Sequence, residues 1–339
     1  MSQYNIVKTP VKVGIVGTGY AAARRAEAFN DSPHTELVAV SGNTSEKTAT
    51  FAQTHHVKTV SSWQDLISDK EIDLICVSNV NYLHGQIIRE ALLADKHVIV
   101  EYPLTIDSKE ASELLNLAKA KRKLLHIEHI ELLGGVHQAI KQYISKIGNP
   151  FLASYETILS KPKVGTHWTY NYHHYGFPLI AALSRINRFT DLFGEVETVS
   201  CNARFWDAPE SGYFSACWCQ AQLMFKNQMG VNITYGKGDK FARSGRVLTI
   251  HGDEGVLLFE GEKGRLIQGD KVTDLEVGSR RGLFTQDTEA VLEHLLNDAP
   301  IYTTNQHSVY TLKVANAALE SYKTKQTLLI TDVTHSFIS

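Results

Sequence analysis

Residues 11–25 read VKVGIVGTGYAAARR. Val11, Val13, Ile15 and Val16 are apolar and β-branched, as in a strand buried on both faces. The run ends in Gly17-Thr18-Gly19-Tyr20-Ala21-Ala22, a G-x-G-x-x-A fingerprint, and Ala21–Phe29 reads as a helix. Gly17 allows the tight turn. Gly19 lets a pyrophosphate approach the backbone, and Ala22 lets the helix pack closely on the strand. The free N–H groups at the positive end of the helix then face the phosphates. A dinucleotide site at Gly17, Thr18, Gly19, Tyr20 and Ala21 is therefore expected.

Outward from this stretch, strands and helices alternate. Glu36–Ser41, Val57–Val60, Asp73–Ser78, Lys96–Val100 and Leu124–Ile127 read as strands. Thr44 or Ser45, Ser62 with Asp65, and Asp107 with Glu110 stand where helix N-caps belong. The alternation predicts an open parallel sheet with right-handed crossovers. Beyond it the pattern changes. Phe151–Leu159, Val196–Trp206, Ala216–Phe225 and Gly230–Tyr235 read as long strands, and four shorter ones follow between Arg246 and Val277. Helices are expected around Phe177–Phe193, Asp287–Leu296 and Val309–Lys323. The reading is α/β. An N-terminal Rossmann doubly wound parallel sheet occupies residues 1–128. A C-terminal α+β domain with a large, mostly antiparallel sheet, covered on one face by helices, occupies residues 129–339.

The 339 residues carry 34 Lys and Arg against 36 Asp and Glu, a formal charge of −2, so neither a nucleic-acid partner nor an acidic-tail function is indicated. No apolar run reaches the length of a membrane span, and residues 1–10 lack a signal-peptide core. A cytoplasmic protein, monomeric or a small homo-oligomer, with no membrane partner is expected. Cys76, Cys201, Cys217 and Cys219 form no C-x-x-C and read as buried apolar residues of a reducing compartment. His126-x-x-His129, with Glu128 and Glu131, superficially suggests a metal site. Three-residue spacing in a strand puts the two rings on opposite faces, so no metal is expected and His129 is read as satisfied or substrate-facing. His173-His174 reads as a solvated loop pair.

NAD sites of this type hold the ribose 2′-OH with an acid about twenty positions beyond the glycines. Ser41-Gly42-Asn43-Thr44-Ser45 contains no carboxylate. Gly42, Asn43 and Thr44, with Arg24 or Lys47 nearby, can receive a 2′-phosphate, which favours NADP(H). The competing reading puts Glu46 on the ribose.

Three segments, GTGYAA, SNVNYLH (residues 78–84) and KHVIVEYPL (residues 96–104), resemble the glucose–fructose oxidoreductase/inositol dehydrogenase (Gfo/Idh/MocA) family. Glu101-Tyr102-Pro103 replaces the family's usual Glu-Lys-Pro. That change, with LHIEHIELLGGVHQAI (125–140), GFPLIAALSRINRFTDLFG (176–194), YGKG (235–238) and GSRRGLFTQDTEAVL (278–292), resembles the biliverdin reductase branch, the cyanobacterial members most.

The resemblance implies that Ser78, Asn79, His84 and Glu101 line the cofactor. Sugar dehydrogenases of the family use the lysine of Glu-Lys-Pro and an Asp-x-x-x-His pair, and the matching positions are Tyr102, Ala181 and Arg185. Alcohol oxidation needs a base. Ala181 cannot be one and Arg185 stays protonated, which argues against polyol oxidation. The implied activity is NADPH-dependent reduction of biliverdin to bilirubin, by hydride transfer to the central methine carbon and protonation of a pyrrole nitrogen. Arg185 would stabilise developing negative charge or deliver a proton through water. Tyr102 would donate a proton or only line the pocket, and Glu101 would orient the nicotinamide or a water. His129, Arg185, Lys237 and Arg246 are the substrate candidates, with Arg243, Arg280 and Arg281 further partners for the two propionates. Another NADP-dependent reductase of the family, or a non-catalytic NADP(H)-sensing protein, stays open as an alternative.

Overall fold

The apolar run Val11–Val16 forms β1, and Tyr20–Asp31 forms α1 directly after the glycines. The structure, a computed structural model, describes Tyr4 and residues 8–332. The alternation continues through β2 (Thr35–Ser41), α2 (Ser45–His55), β3 (Lys58–Thr59), α3 (Trp63–Ser68) and β4 (Leu74–Val77). It ends with α4 (His84–Leu93), β5 (His97–Val100), α5 (Ser108–Lys121) and β6 (Leu125–Ile127). The strands pair in parallel in the order β3-β2-β1-β4-β5-β6, the doubly wound arrangement. Caps start the helices where the side chains allow. Thr44 Oγ1 accepts from the Lys47 N–H, Ser62 Oγ from Asp65, and Asp107 Oδ1 from Lys109 and Glu110. At Ser62 the hydroxyl also donates to the Asp65 carboxylate (2.8 Å).

The second part runs through α6 (Gly135–Tyr143), β7 (Pro150–Ser160), α7 (Tyr172–Tyr175), α8 (Pro178–Ala181) and α9 (Ser184–Phe193). Seven strands follow: β8 (Val196–Asp207), β9 (Phe214–Phe225), β10 (Gly230–Gly238), β11 (Gly245–Gly252), β12 (Gly255–Glu260), β13 (Lys263–Gln268) and β14 (Lys271–Leu275). Helices α10 (Leu283–Asn297) and α11 (Asn305–Thr324) and the short β15 (Leu328–Leu329) complete the chain. The nine-stranded sheet has the order β14-β13-β12-β11-β7-β10-β9-β8-β15, antiparallel except for the parallel β7–β10 pair. Its buried face carries Ala153, Tyr155 and Thr157 of β7, Val231, Ile233 and Tyr235 of β10, and Cys217, Cys219 and Ala221 of β9. All four cysteines are buried thiols, with Cys201 and Cys219 Sγ 3.5 Å apart.

Three expectations change. The chain divides into one compact unit of residues 1–130 with 282–309, and another of 131–281 with 310–339, not at 128/129. Helix α10 goes with the first unit because its stripe Val291, Leu292 and Leu295 fills the core of Val11, Ala22, Ala26 and Phe29. The helix expected over 177–193 is broken: Pro178 starts α8, Ala182 leaves helical geometry (φ −105°, ψ 36°), and α9 begins at Ser184. His173 and His174 lie in α7 rather than in a loop, because Asn171 Oδ1 caps that turn at both their N–H groups.

Candidate active site

In the first unit the strand order reverses between β1 and β4, where open α/β sheets bind ligands. Gly17 has φ +127°, and a Cβ there would sit 2.1 Å from the Ser78 carbonyl oxygen, so only glycine fits against the end of β4. A Cβ on Gly19 would meet nothing within 4 Å, and Gly19 caps α1 without a side-chain bond. The N–H groups of the first turn of α1, where Ala21 lies, are thus approachable from an open side that carries no acid, which fits a dinucleotide pyrophosphate.

Around that turn Tyr20 is 77% exposed, its ring edge-on to Phe284 with centroids 6.2 Å apart. Arg24 lies 5.7 Å from the Tyr20 ring and pairs with Glu27. Gly42 is packed in: a Cβ would lie 2.5 Å from Thr48 Oγ1 and 2.6 Å from Thr18 Cγ2. Asn43 and Thr44 are exposed at the start of α2. His84 clamps the two loops above β4 and β5. Its ring nitrogens lie 2.8 Å from the Pro103 carbonyl and 3.1 Å from that of Asn79. Burial lowers its pKa against the pull of those two carbonyls, so the ring is neutral and donates one N–H.

Glu101, just after β5, accepts from Arg25 Nε at 2.8 Å. Arg25 is wholly buried. It pairs with Asp287 at 2.5 Å, donates to Thr288 at 3.1 Å and lies 5.2 Å from the Phe284 ring. Asp287 in turn holds His126 Nε2 at 2.8 Å and accepts from the Tyr302 hydroxyl at 2.5 Å. Burial opposes ionisation of Asp287, but Arg25 and His126 outweigh it and keep the carboxylate charged. The neighbouring Glu128 is pushed the other way, well above the carboxylate range, by burial and by the charges of Glu101 and Asp287. No motif marks Arg25 or Asp287. The signal is positional: Arg25 falls on the buried stripe Ala22, Ala26, Phe29 of α1, and Asp287 on the stripe Leu283, Val291 of α10. A charge on an apolar stripe is held by a partner.

Tyr102 stacks on His129, ring centroids 5.9 Å apart and planes 4° from parallel. His129 is buried, with Nε2 at 2.9 Å from Ser308 Oγ and its N–H donating to Tyr302, and burial pushes its pKa down to about 3. It is therefore an interior prop beneath Tyr102 rather than a substrate-facing group. Among the described residues no group of three or more His, Cys, Asp or Glu is arranged to hold a metal.

In the second unit Arg185 projects from α9, donating to Ser184 Oγ at 2.9 Å, with its guanidinium 5.3 Å from the Tyr235 ring. Ala181 lies on α8, so the two positions expected on one helix occupy two. Arg188, one turn on, is 3% exposed and pairs with Glu131 at 3.3 Å; Arg280 grips the same carboxylate. Arg246 is half-buried at the start of β11, while Arg243 and Arg281 are exposed. Lys237, expected to reach a propionate, is instead shut in. It donates to the Thr169 carbonyl at 2.6 Å with Tyr170 and Tyr175 at 3.9 and 4.0 Å, and burial pushes its ammonium down to about 7. Strand alternation explains this, since Lys237 shares the parity of Val231, Ile233 and Tyr235 on the covered face.

The sequence matches the oxidoreductase family model for an NAD-binding Rossmann fold over residues 11–129 and that for a C-terminal alpha/beta domain over residues 141–330. The chain belongs to the Gfo/Idh/MocA oxidoreductase family. Within the family it is similar to a biliverdin reductase from Synechocystis sp. PCC 6803, solved with biliverdin and NADP+: 52% identity, TM-score 0.91, covering 92% of this chain and 99% of that one. It is 27% identical over 285 residues to biliverdin reductase A of Homo sapiens, 84% of this chain and 86% of that protein. An NAD-binding oxidoreductase from Klebsiella pneumoniae shares the fold at 16% identity, with TM-score 0.80 over 94% of this chain and 99% of that one. No helix among the described residues is long and apolar enough to cross a membrane.

Proposed function

We propose that this member of the Gfo/Idh/MocA family reduces biliverdin to bilirubin with NADPH. The observation that carries the reading is the 52% identity, over 92% of the chain, to a reductase solved with biliverdin and NADP+. The side chains agree with it. Tyr102, Ala181 and Arg185 supply no base for an alcohol, so the family's polyol chemistry lacks its proton acceptor here.

Gly17, Thr18, Gly19, Tyr20 and Ala21 would hold the pyrophosphate. Ser78, Asn79, His84 and Glu101 would flank the nicotinamide, and Gly42, Asn43 and Thr44 the adenosine ribose. Bound NADPH supplies a hydride for the central methine carbon. Segment 41–45 carries no carboxylate to repel a 2′-phosphate, and Glu46 is the second residue of α2, in its first turn. Arg25 holds the Glu101 side chain in place through its Nε–H. Arg185 supplies permanent positive charge that stabilises the electron-rich bilin as it forms. Tyr102, propped by His129, lines the site. Arg246 would hold a propionate.

The test is an assay of protein, NADPH and biliverdin in which the long-wavelength biliverdin band and the NADPH band are followed together. Loss of both in a one-to-one ratio supports the reading. NADPH binding with an unchanged biliverdin band would leave the sensing alternative standing.

A further inference from the structure

The buried face of the second unit's sheet holds a phenol among guanidinium groups. Tyr155, in the middle of β7, is 5% exposed and sits between Ile233 of β10 and Leu248 of β11. The Arg188 guanidinium lies 5.8 Å from its ring, and Phe189 meets the ring edge-on at 6.2 Å. Arg246 pairs across to Thr157, the next residue of β7 on the same face. The charged groups acting on the phenol are Arg185 and Arg188 of α9, Arg246 of β11, Arg280 and the carboxylate of Glu131, so four cations meet one anion. Polar atoms here lack partners within the described residues: Nε and Nη1 of Arg188 and Oγ1 of Thr157 are buried without a hydrogen bond.

A phenol so placed loses its proton more readily than one in water. Burial alone would raise its pKa. The guanidinium groups of Arg188, Arg185 and Arg246 outweigh burial, and the net shift is downward. Every other tyrosine with a resolved shift moves upward, Tyr170 and Tyr4 to about 12 among them. Tyr175 and Tyr235, which share a hydrogen bond of 3.0 Å on the same sheet face, are also raised.

We propose that Tyr155 is the acid that supplies the proton of bilin reduction, with Arg188 as the positioning residue that holds the resulting phenolate. The inference rests on the biliverdin reductase reading. In the step, a C–H bond forms at the central methine carbon with the electron pair of the incoming hydride. The adjoining π electrons move onto a pyrrole nitrogen, an N–H bond forms there, and the Tyr155 O–H bond breaks. The phenolate then regains a proton from water. Atoms and charge balance as biliverdin plus NADPH plus one proton giving bilirubin plus NADP+. Arg185 remains the fixed cation of this scheme.

Two measurements on the full chain test it. The first needs neither substrate nor cofactor: the ultraviolet phenolate band is titrated in the wild type and in Tyr155→Phe. The wild type should show one phenolate, absent from the variant, that forms below the ordinary tyrosine range of about 10, and Arg188→Gln should move it upward. The second is the pH profile of kcat at saturating NADPH. Tyr155→Phe should lower kcat about 100-fold or more, leave KM for biliverdin and NADPH affinity within about threefold, and abolish the basic limb that a protonated acid imposes. Arg188→Gln should shift that limb to higher pH. Tyr155→Phe with near-normal kcat, or with the basic limb intact, would overturn the assignment, and so would a missing low-pH phenolate. Failure of the wild type to consume biliverdin would instead overturn the reading beneath it, while the phenolate titration would still report on the site.

Discussion

Arg185 matches, by family resemblance, the histidine of sugar-handling relatives, and on the proposed reading a guanidinium there changes which reactions are open. It cannot accept a proton, but it offers fixed charge and forked donors beside the Tyr235 ring. A preorganised donor of this kind contributes about 3–4 kcal/mol of barrier lowering. Arg185→Ala should therefore slow single-turnover reduction about 100- to 1000-fold with NADPH affinity unchanged, and Arg185→Lys should recover only part. Near-normal turnover with weaker bilin binding would make Arg185 an anchor. Tyr102 makes the contrasting case. Stacked on a neutral, buried His129, it is held as a wall, so Tyr102→Phe should keep kcat within about tenfold, well short of the loss expected for a sole acid. Abolished turnover with intact NADPH binding would contradict this. The glycine turn was legible, since the motif marks Gly17 and its φ of +127° against Ser78 requires glycine; Glu101, Tyr102 and Arg185 were named from motifs, and their roles are proposals. Arg25, Asp287 and Tyr155 carry no motif, and their importance arises from which charges surround them once buried.

At the scale of elements, the start of α2 sets the cofactor preference under the proposed function. Its first residues follow β2 with no acid between Ser41 and Ser45, so NADPH should be favoured over NADH. Gly42→Asp is a poor probe because any Cβ there strikes Thr48 and Thr18. Asn43→Asp adds charge at an exposed neighbour and should lower kcat/KM for NADPH about tenfold while sparing NADH. Equal use of both cofactors by the wild type would contradict this account of residues 41–45. Strand β10 yields a second expectation. Lys237 has a folded pKa of about 7, below its unfolded value, so between about pH 7 and about pH 10 the unfolded chain binds more protons. Stability from this group therefore rises with pH across that window, and below it the whole penalty stands. Lys237→Met should remove up to about 1.4 kcal/mol per pH unit of that slope, read from urea unfolding at several pH values. Identical slopes in the two proteins would show that the aromatic cage already compensates the charge. The strands themselves were readable from alternation, and the same parity would have placed Lys237 on the covered face. The break between α8 and α9 was not, since Phe177–Phe193 keeps an unbroken apolar rhythm across Ala182.

Over the whole molecule, periodicity located the elements but could not say which core each would join. The stripe of α10 would suit either unit, and it fills the first one beside α1, where Asp287 completes the Arg25–Glu101 network. The second half of the chain thereby supplies a carboxylate to the Arg25–Glu101 pair of the first half. The central claim concerns the chemistry of the whole chain, and one measurement reaches it most directly. Purified protein is mixed with NADPH and biliverdin, and the absorbance of both is followed while the product is identified. The account predicts equimolar loss of NADPH and biliverdin with bilirubin formed. NADPH bound tightly while biliverdin persists unchanged would contradict it.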